Sequence, residues 1–206
     1  MARDWTEFPA DVRRYLKPGI YVDSDNTLVR STAQELCGRE SAPIQRAKSL
    51  FEFVRDRIEE GHFNQFKASE VLKARKGFCY NKAILLAALC RSAGIPARLA
   101  YDEVTIADYV SPRTGQKGTI QFLHGLTEIH LGDRWRRYDQ TGNAARWRLW
   151  TQSDVTTIAL PLEFRAEEDV VFPSTSRIRL RRTENHFFDW GRDAEKLTQE
   201  FNRLSS

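Results

Sequence analysis

Length, composition and charge describe an ordinary globular chain. Its 206 residues include 32 Lys and Arg against 28 Asp and Glu, a net charge of +4, and three cysteines. This length suffices for one sizeable core. No stretch approaches the ~18 apolar residues of a membrane helix, and the widely spaced cysteines do not form a disulfide framework. We expect a cytoplasmic protein, residues 1–206 forming a single domain, with no membrane partner.

The first 30 residues show turns rather than a sustained pattern. Lys17-Pro18-Gly19 and Asp23-Ser24-Asp25-Asn26 punctuate this part of the chain. We interpret residues 1–40 as an N-terminal arm docked on the core. Cys37 is interpreted as a structural residue in a polar segment.

An amphipathic helix is predicted to start at Ser41-Ala42-Pro43 and to end before Gly61. Its apolar residues recur at helical spacing and form one stripe: Ile44, Ala47, Leu50, Phe51, Val54 and Ile58. A short second helix is predicted from a cap at Ser69 through Ala74.

The most informative stretch places a thiol at the start of an apolar helix. Gly77 permits a bend just before Cys79, and apolar residues from Ala83 to Cys90 recur until Gly94 stops them. The first turn of a helix carries unpaired N–H groups and the positive end of the helix dipole, which favour a thiolate. Cys79 is therefore a candidate nucleophile. Cys90 lies ~16 Å further along the axis and is assigned to the core.

A strand is predicted from Ile95 to Val104, and a long polar connection over residues 105–120. A connection of that length beside a functional strand could close over a substrate, although a surface insertion is the commoner explanation.

Residues 122–139 predict a β-hairpin with a two-residue turn at Gly132-Asp133. In that register Leu126 faces Asp139. Side chains alternate along a strand, so Asp139 lies on the face of His124, one diagonal step of ~7–8 Å away. The prediction depends on a tight turn, because a bulge would send Asp139 to the opposite face.

Residues 143–206 predict further strands and a closing helix. Val170–Pro173 and Arg177–Arg182 have strand patterns, and residues 193–204 have a helical one. Arginines alternate with apolar residues from Arg177 to Arg181, which favours a solvated strand face over a nucleic-acid site. We expect no nucleic-acid partner.

Cys79, His124 and Asp139 together indicate nucleophilic catalysis. An imidazole on one strand can take the proton of the thiol and later deliver one to a leaving group, while a carboxylate on the next strand fixes its tautomer. His124 and His130 lie too far apart on an extended strand to share a metal ion, and no zinc-ligand spacing is present. We expect no metal and no cofactor.

Three separated blocks of the chain resemble the transglutaminase-like superfamily over about residues 43–142. The residues that carry the resemblance are Ser69-Glu70-Val71-Leu72, Gly77-Phe78-Cys79, Leu85 to Arg91, Gly94-Ile95-Pro96-Ala97-Arg98, His124, Glu128, Gly132, Arg134-Trp135 and Asp139. The resemblance implies an α+β, papain-like fold. In that fold a central helix opened by the cysteine packs on an antiparallel sheet that carries the histidine and the aspartate.

The resemblance also implies roles for individual residues. Cys79 would be the nucleophile, His124 the general base and acid, and Asp139 the orienting carboxylate; Glu128 would support the site structurally. Two positions depart from the family pattern. Gly125-Leu126 stands where an aromatic residue often follows the histidine, and Gln140 stands where proline often follows the aspartate. Both changes could reshape the acyl pocket.

The oxyanion hole is predicted to use the backbone N–H of Cys79, at the start of its helix. Gln65 or Asn64 is the candidate for a second donor. The alternative is that these two residues belong only to a polar loop between helices.

Three functions are compatible with these residues. The first is thiol-dependent chemistry on an amide bond of a peptide, protein or small amide, with a peptidase or amidase favoured over a protein cross-linker. The second is acyl transfer like that of arylamine N-acetyltransferases, which the stretch from Arg75 to Cys79 resembles. The third is a non-catalytic binding module. A fold and a triad do not fix a substrate, and nothing in the pattern specifies an oligomeric state.

Overall fold

The computed structural model of the protein describes residues 8–40, 42–61, 63–110, 117–141, 155–159, 162–165 and 170–173. Its helices precede its main sheet in the chain. They are α1 (Ala10–Arg13, continued by a 3-10 turn over Arg14–Leu16), α2 (Thr27–Cys37), α3 (Pro43–Arg57), α4 (Ala68–Ala74) and α5 (Cys79–Ser92).

The strands form one larger sheet and two small pairs. They are β1 (Glu59–Glu60), β2 (Lys76–Gly77), β3 (Ala97–Val110), β4 (Lys117–Leu131), β5 (Arg134–Tyr138), β6 (Val155–Ala159), β7 (Leu162–Arg165) and β8 (Val170–Pro173). The larger sheet is antiparallel with the order β5-β4-β3-β6. β1 and β2 pair in parallel, and β7 and β8 pair antiparallel.

Helix α5 is the centre of the fold, as its apolar sequence predicts. Every residue from Tyr80 to Arg91 is buried, because α5 contacts α2, α3 and α4 on one side and β3 and β4 on the other. A helix that is apolar all round has to be enclosed in this way. Gly94, with a φ of +76°, follows the helix and turns the chain towards β3.

Helix α3 is confirmed in position, and most of its apolar stripe is buried. Ala47, Leu50 and Val54 belong to the core. Ile44 does not: its residue surface is 59% exposed. The predicted stripe is therefore one turn too long at its N-terminal end.

Helix α2 lies within the proposed N-terminal arm, where no helix was predicted. Asn26 caps this helix by accepting a hydrogen bond from the Leu28 amide at 3.0 Å. The buried residues are Val29, Ala33 and Cys37. Only one of the three has a large aliphatic side chain, so the helical stripe is weak in the sequence. Cys37 thus lies in the last turn of a helix and in the core.

The segment before α2 is held by backbone and side-chain hydrogen bonds to later elements. The Asp23 carboxylate accepts hydrogen bonds from the backbone amide of Ser69 at 3.1 Å and from its hydroxyl at 2.5 Å. The Arg91 guanidinium donates to the Lys17 carbonyl at 2.7 Å. The predicted cap at Ser69 is wrong, because the start of α4 at Ala68 is satisfied by a carboxylate from elsewhere in the chain.

The predicted polar connection over residues 105–120 is also wrong for most of its length. β3 continues to Val110 and β4 begins at Lys117, with an irregularity in their pairing between Ile106 and Tyr109. Antiparallel pairing sustains these strands although their sequence lacks a clear apolar alternation.

The C-terminal predictions are described only in part. The strand at Val170–Pro173 is confirmed as β8. Arg177–Arg182 and residues 193–204 lie outside the described residues. Among the helices that the structure describes, none combines the length and apolar character needed to cross a membrane.

Candidate active site

Cys79 occupies the first position of α5. The preceding residue, Phe78, is extended, with φ −85° and ψ −174°, and its carbonyl accepts the first helical hydrogen bond from the Lys82 amide at 2.9 Å. The amide of a residue at this first position has no partner within the helix. The Cys79 side chain is partly exposed, whereas Cys37 and Cys90 are buried.

A buried amide, that of Asn81, organises the approach to Cys79. Its Oδ1 accepts a hydrogen bond from the Phe78 amide at 3.0 Å, and its Nδ2 donates to the Gln65 carbonyl at 2.7 Å. Gly77 lies against this side chain, so that a Cβ at Gly77 would come 2.5 Å from the Asn81 Cβ. The sequence analysis missed Asn81; its place in the first turn of α5 is the signal that could have identified it.

The two candidates for a second oxyanion donor are placed differently from expectation. Asn64 and Gln65 are both exposed. Gln65 is tied to the start of α5 through its backbone carbonyl, as the acceptor of the Asn81 hydrogen bond. Its side-chain amide therefore remains only a proposed donor.

The β4–β5 hairpin has the predicted register. Leu131 pairs with Arg134 and Thr127 with Tyr138. Gly132 has a φ of +70°, and Asp133 is not among the residues of positive φ. A positive φ at the first central position alone corresponds to a type II′ turn, whose twist suits a two-residue hairpin. The tight turn on which the position of Asp139 depended is therefore present.

The hairpin brings His124 and Asp139 together. Their Nε2 and Oδ2 atoms lie 2.9 Å apart. Thr141 contacts both groups: its backbone amide donates to Asp139 Oδ1 at 2.9 Å, its hydroxyl donates to the same oxygen, and the hydroxyl oxygen lies 3.2 Å from His124 Nε2. Thr141 was not predicted as a site residue, although the register that pairs Leu126 with Asp139 would pair it with His124.

The tautomer of His124 follows from these partners. An ionised carboxylate only accepts hydrogen bonds, so Nε2 carries the hydrogen that it donates to Asp139. His124 also interacts with the Cys79 side chain, which raises the pKa of the imidazole. With Nε2 occupied by Asp139, Nδ1 is the nitrogen available to the thiol. His124 thus lies between the thiol and the carboxylate.

The electrostatics of the pair favour a protonated imidazole. Burial acts to lower the pKa of His124, but hydrogen bonds to Asp139 and Cys79 and the negative charge of both groups outweigh it and raise this pKa to about 10. Burial acts to raise the pKa of Asp139, but hydrogen bonds from His124 and Thr141 prevail and hold it below its ordinary value. The arrangement therefore favours an imidazolium held against an ionised carboxylate.

Two departures from the family pattern meet on the helix-facing side of β4. A Cβ on Gly125 would lie 2.8 Å from Tyr80 Cδ1 and 3.2 Å from Tyr80 Cα, so the missing side chain lets α5 approach the strand. Gln140 is fully buried, and its Nε2 donates to the carbonyls of Cys79 and Gly125, each at 3.1 Å.

Glu128 is held by two arginines from the neighbouring strands. Arg98 Nε donates to its Oε2 at 2.7 Å, and Arg137 Nε donates to its Oε1 at 2.8 Å. Both arginines are directly opposite Glu128 in the sheet register. The Arg98 guanidinium also stacks on Trp135, 4.2 Å from the ring centre. Glu128 therefore links β3, β4 and β5, consistent with a structural role.

No group of three or more His, Cys, Asp or Glu side chains within the described ranges is arranged to hold a metal ion. The acidic and imidazole groups of the site are instead engaged with one another and with Thr141.

Two solved structures share this fold. One is a candidate cysteine protease from Cytophaga hutchinsonii, with 20% identity, a TM-score of 0.53, and coverage of 78% of this chain and 60% of that protein. The other is the periplasmic domain of TgpA from Pseudomonas aeruginosa bound to ethylmercury, with 20% identity, a TM-score of 0.50, and coverage of 72% and 55%. The chain thus spans little more than half the length of either protein. No curated protein matches it.

The sequence profile of the Transglutaminase-like superfamily matches residues 30–140, which is more than half of the chain. The protein belongs to the transglutaminase-like superfamily. Its α+β, papain-like fold, with a central helix opened by Cys79 and an antiparallel sheet carrying His124 and Asp139, agrees with the fold expected from the sequence.

Proposed function

We propose that the protein is a thiol-dependent enzyme that attacks amide carbonyls through an acyl intermediate on Cys79. The observation that carries the proposal is the placement of His124, which is hydrogen-bonded to Asp139 at 2.9 Å and whose pKa is raised by its interaction with the Cys79 side chain. A peptidase or amidase is the preferred form of this activity.

The reactive form of the pair carries the Cys79 proton on His124 Nδ1, as the raised pKa of the imidazole favours. The thiolate attacks the carbonyl carbon, a C–S bond forms, and the carbonyl electron pair moves to oxygen. The backbone amide of Cys79, at the first position of α5, is the proposed donor to that oxygen, with Gln65 or Asn64 as the second. Asp139 stabilises the imidazolium through Nε2.

The intermediate then loses an amine and is hydrolysed. His124 gives its Nδ1 proton to the departing nitrogen as the C–N bond breaks, which leaves a thioester on Cys79. His124 next takes a proton from water, the hydroxide adds to the thioester, and the C–S bond breaks to release a carboxylic acid and the free thiol. An amine in place of water gives transamidation by the same steps.

The first experiment measures alkylation of each of the three cysteines by iodoacetamide, with mass spectrometry, across a range of pH. Burial raises the pKa of Cys37 and that of Cys90. These two thiols are therefore slow internal controls. Cys79 is expected to react rapidly at neutral pH and at least ~10-fold more slowly in His124→Ala, because the imidazolium no longer supports its thiolate.

His130→Ala is the matched control, because His130 is on the same strand and its side chain alternates to the same face as His124. Its Cys79 alkylation rate should equal that of the wild-type chain. Equal rates in the wild type and in His124→Ala would overturn the proposal and favour a non-catalytic binding module.

Substrate classes are separated in a second experiment. A panel of peptide amides and simple amides is incubated with and without an added primary amine, and acyl-Cys79 is sought by mass. Release of free acid supports hydrolysis, and amine incorporation supports transamidation. Acetylation of Cys79 by acetyl-coenzyme A, with no acylation by any amide, would instead indicate arylamine N-acetyltransferase-like chemistry.

A further inference from the structure

We propose that Gln140 is a positioning residue that fixes the backbone of Cys79 against the strand of His124. The inference rests on the proposed function, since positioning matters only if Cys79 and His124 act as a pair. Gln140 does not contact either reacting group through its side chain. It contacts the main chain on both sides of the junction between α5 and β4.

The side chain of Gln140 makes its hydrogen bonds at the junction between α5 and β4. One Nε2 hydrogen serves the carbonyl of Cys79 and the other serves the carbonyl of Gly125, each at 3.1 Å. Its Oε1 accepts from the Thr127 hydroxyl at 3.3 Å. The residue is 0% exposed. The two donated hydrogen bonds set the orientation of this buried amide, because a flipped amide would turn its oxygen towards two carbonyl oxygens.

The two carbonyls that Gln140 holds belong to the functional residues or their immediate neighbours. The Cys79 carbonyl is part of the peptide that joins the nucleophile to Tyr80. Gly125 follows His124 directly, and its lack of a side chain lets the Tyr80 backbone approach within 3.2–3.3 Å of where a Cβ would stand. Gln140 therefore sets the separation of helix and strand at the point where Cys79 meets His124.

Gln140 also lies between two residues that contact His124. Side chains alternate along an extended chain, so Asp139 and Thr141 point to the His124 side while Gln140 points to the α5 side. Their contacts confirm this alternation. A single three-residue segment thus orients the imidazole and holds the backbone of the thiol. Displacement of Gln140 would therefore change the orientation of the imidazole and the position of the Cys79 backbone together.

The test compares Gln140→Met with Thr127→Val. Methionine keeps the length and volume of glutamine but donates no hydrogen bond, so the Cys79 and Gly125 carbonyls lose their shared donor. Valine keeps the shape of threonine and removes the hydroxyl, whose single hydrogen is shared between the Ala83 carbonyl at 3.1 Å and Gln140 Oε1 at 3.3 Å. Both variants lose buried hydrogen bonds, but only Gln140→Met releases the backbone of Cys79.

The readout is the rate of Cys79 alkylation by iodoacetamide in the full chain, at a temperature at which circular dichroism shows each variant folded. Gln140→Met is expected to react about 10-fold more slowly, because a small misplacement of reacting groups has large effects on rate. In a His124→Ala background the same substitution should change the rate less than about 2-fold. Thr127→Val should stay within about 2-fold of the wild type in both backgrounds.

A wild-type rate in Gln140→Met, or an equal loss in Thr127→Val, would overturn the positioning role. Gln140→Asn is measured in parallel, since its shorter amide cannot reach both carbonyls; failure of both Gln140 variants to fold would assign the residue to stability alone and also overturn the proposal. Failure of the proposed function is recognised separately. In that case His124→Ala by itself leaves the Cys79 rate unchanged.

Discussion

Two carboxylates on the same face of the β4–β5 hairpin, the buried Glu128 and the half-buried Asp139, have different partners. Asp139 pairs with an imidazole that also interacts with the Cys79 thiol. Glu128, further along the face, pairs with two guanidinium groups. Guanidinium groups keep their charge at any ordinary pH, so the Glu128 cluster holds fixed charges. The His124 cluster can move a proton. The group beside each carboxylate, rather than the carboxylate itself, therefore determines whether a proton can be transferred within the cluster.

The two clusters also differ in what they connect. Glu128 joins directly opposed residues of three strands, and Arg98 extends the cluster to the rings of Trp135 and Tyr15. Asp139 connects the end of the hairpin to the site through His124. The comparison predicts that substitutions in the Glu128 cluster affect folding, and that substitutions in the His124 cluster affect reactivity.

The largest expected effect is that of Asp139→Asn. An amide can present its NH₂ group to Nε2, which favours the tautomer with hydrogen on Nδ1, and this nitrogen can no longer accept the thiol proton. We expect a loss of about 10²–10⁴-fold in the rate of Cys79 acylation. Single-turnover acylation by an activated ester would measure it. A loss of less than about 3-fold would mean that Asp139 matters little for the reactivity of Cys79. The predicted difference between Asp139 and Glu128 would then be wrong.

Glu128→Gln tests the second carboxylate, which is expected to contribute to stability. The neutral amide leaves two arginines with an uncompensated positive charge in a partly buried site. We expect the free energy of unfolding to fall by about 3 kcal/mol, measured by urea denaturation. The Cys79 alkylation rate should remain that of the wild type while the protein is folded. A slower thiol at unchanged stability would mean that Glu128 acts on the site itself.

Gly125→Ala tests the contact between the His124 strand and α5. The new Cβ would be too close to both the ring and the backbone of Tyr80, so the helix start has to shift. We expect a loss of about 2 kcal/mol in stability together with slower Cys79 alkylation. Gly132→Ala is the matched control: its φ of +70° is unfavourable for alanine, but nothing lies within 4 Å of the added Cβ.

That control should lose about 1 kcal/mol and keep the Cys79 rate. Equal rates in the two alanine variants would indicate that the close approach at Gly125 does not affect the site.

The smallest expected effect concerns the pH dependence of stability. The raised pKa of His124 means that its contribution is complete below about pH 6.5 and is lost as the pH rises through about 10. The lowered pKa of Asp139 gives the opposite sign: its contribution is present above the ordinary value of 3.8 and is lost as the pH falls through the lower folded value.

Urea denaturation at several pH values checks these signs. Stability should decline between about pH 7 and 10 in the wild type, and the decline should be shallower in His124→Ala. Glu128→Gln should keep the wild-type slope, since the guanidinium groups beside it do not lose protons in that range. An unchanged slope in His124→Ala would contradict the assigned pKa.

The sequence was sufficient for those features that depend on local pattern. The apolar run after Cys79 predicts a buried helix, and the two-residue turn at Gly132 predicts the register that brings Asp139 to His124; both are observed. Helix α2 was missed because its three buried residues give little apolar contrast. The strand residues between 105 and 120 were missed because pairing, rather than local alternation, sustains them.

The buried amides could not be assigned from sequence for a different reason. Asn81 and Gln140 bind mostly to backbone carbonyls. A carbonyl is present at every residue, so no pattern of side chains indicates which ones will lie nearby. The cap of α4 by Asp23 is similar, since its partner Ser69 is 46 residues away. These contacts appear only once the fold has brought distant segments together.

The two-residue turn at Gly132-Asp133 makes the site more sensitive to the number of residues in the hairpin than to their identities. His124 and Asp139 are 15 residues apart. One inserted residue in the turn would exchange the faces of Asp139 and Gln140, so that an amide would point towards the imidazole and a carboxylate into the apolar junction with α5. One residue added to each strand would preserve the alternation. In evolution this hairpin can therefore accept many substitutions, but it can change length only when both strands gain or lose the same number of residues.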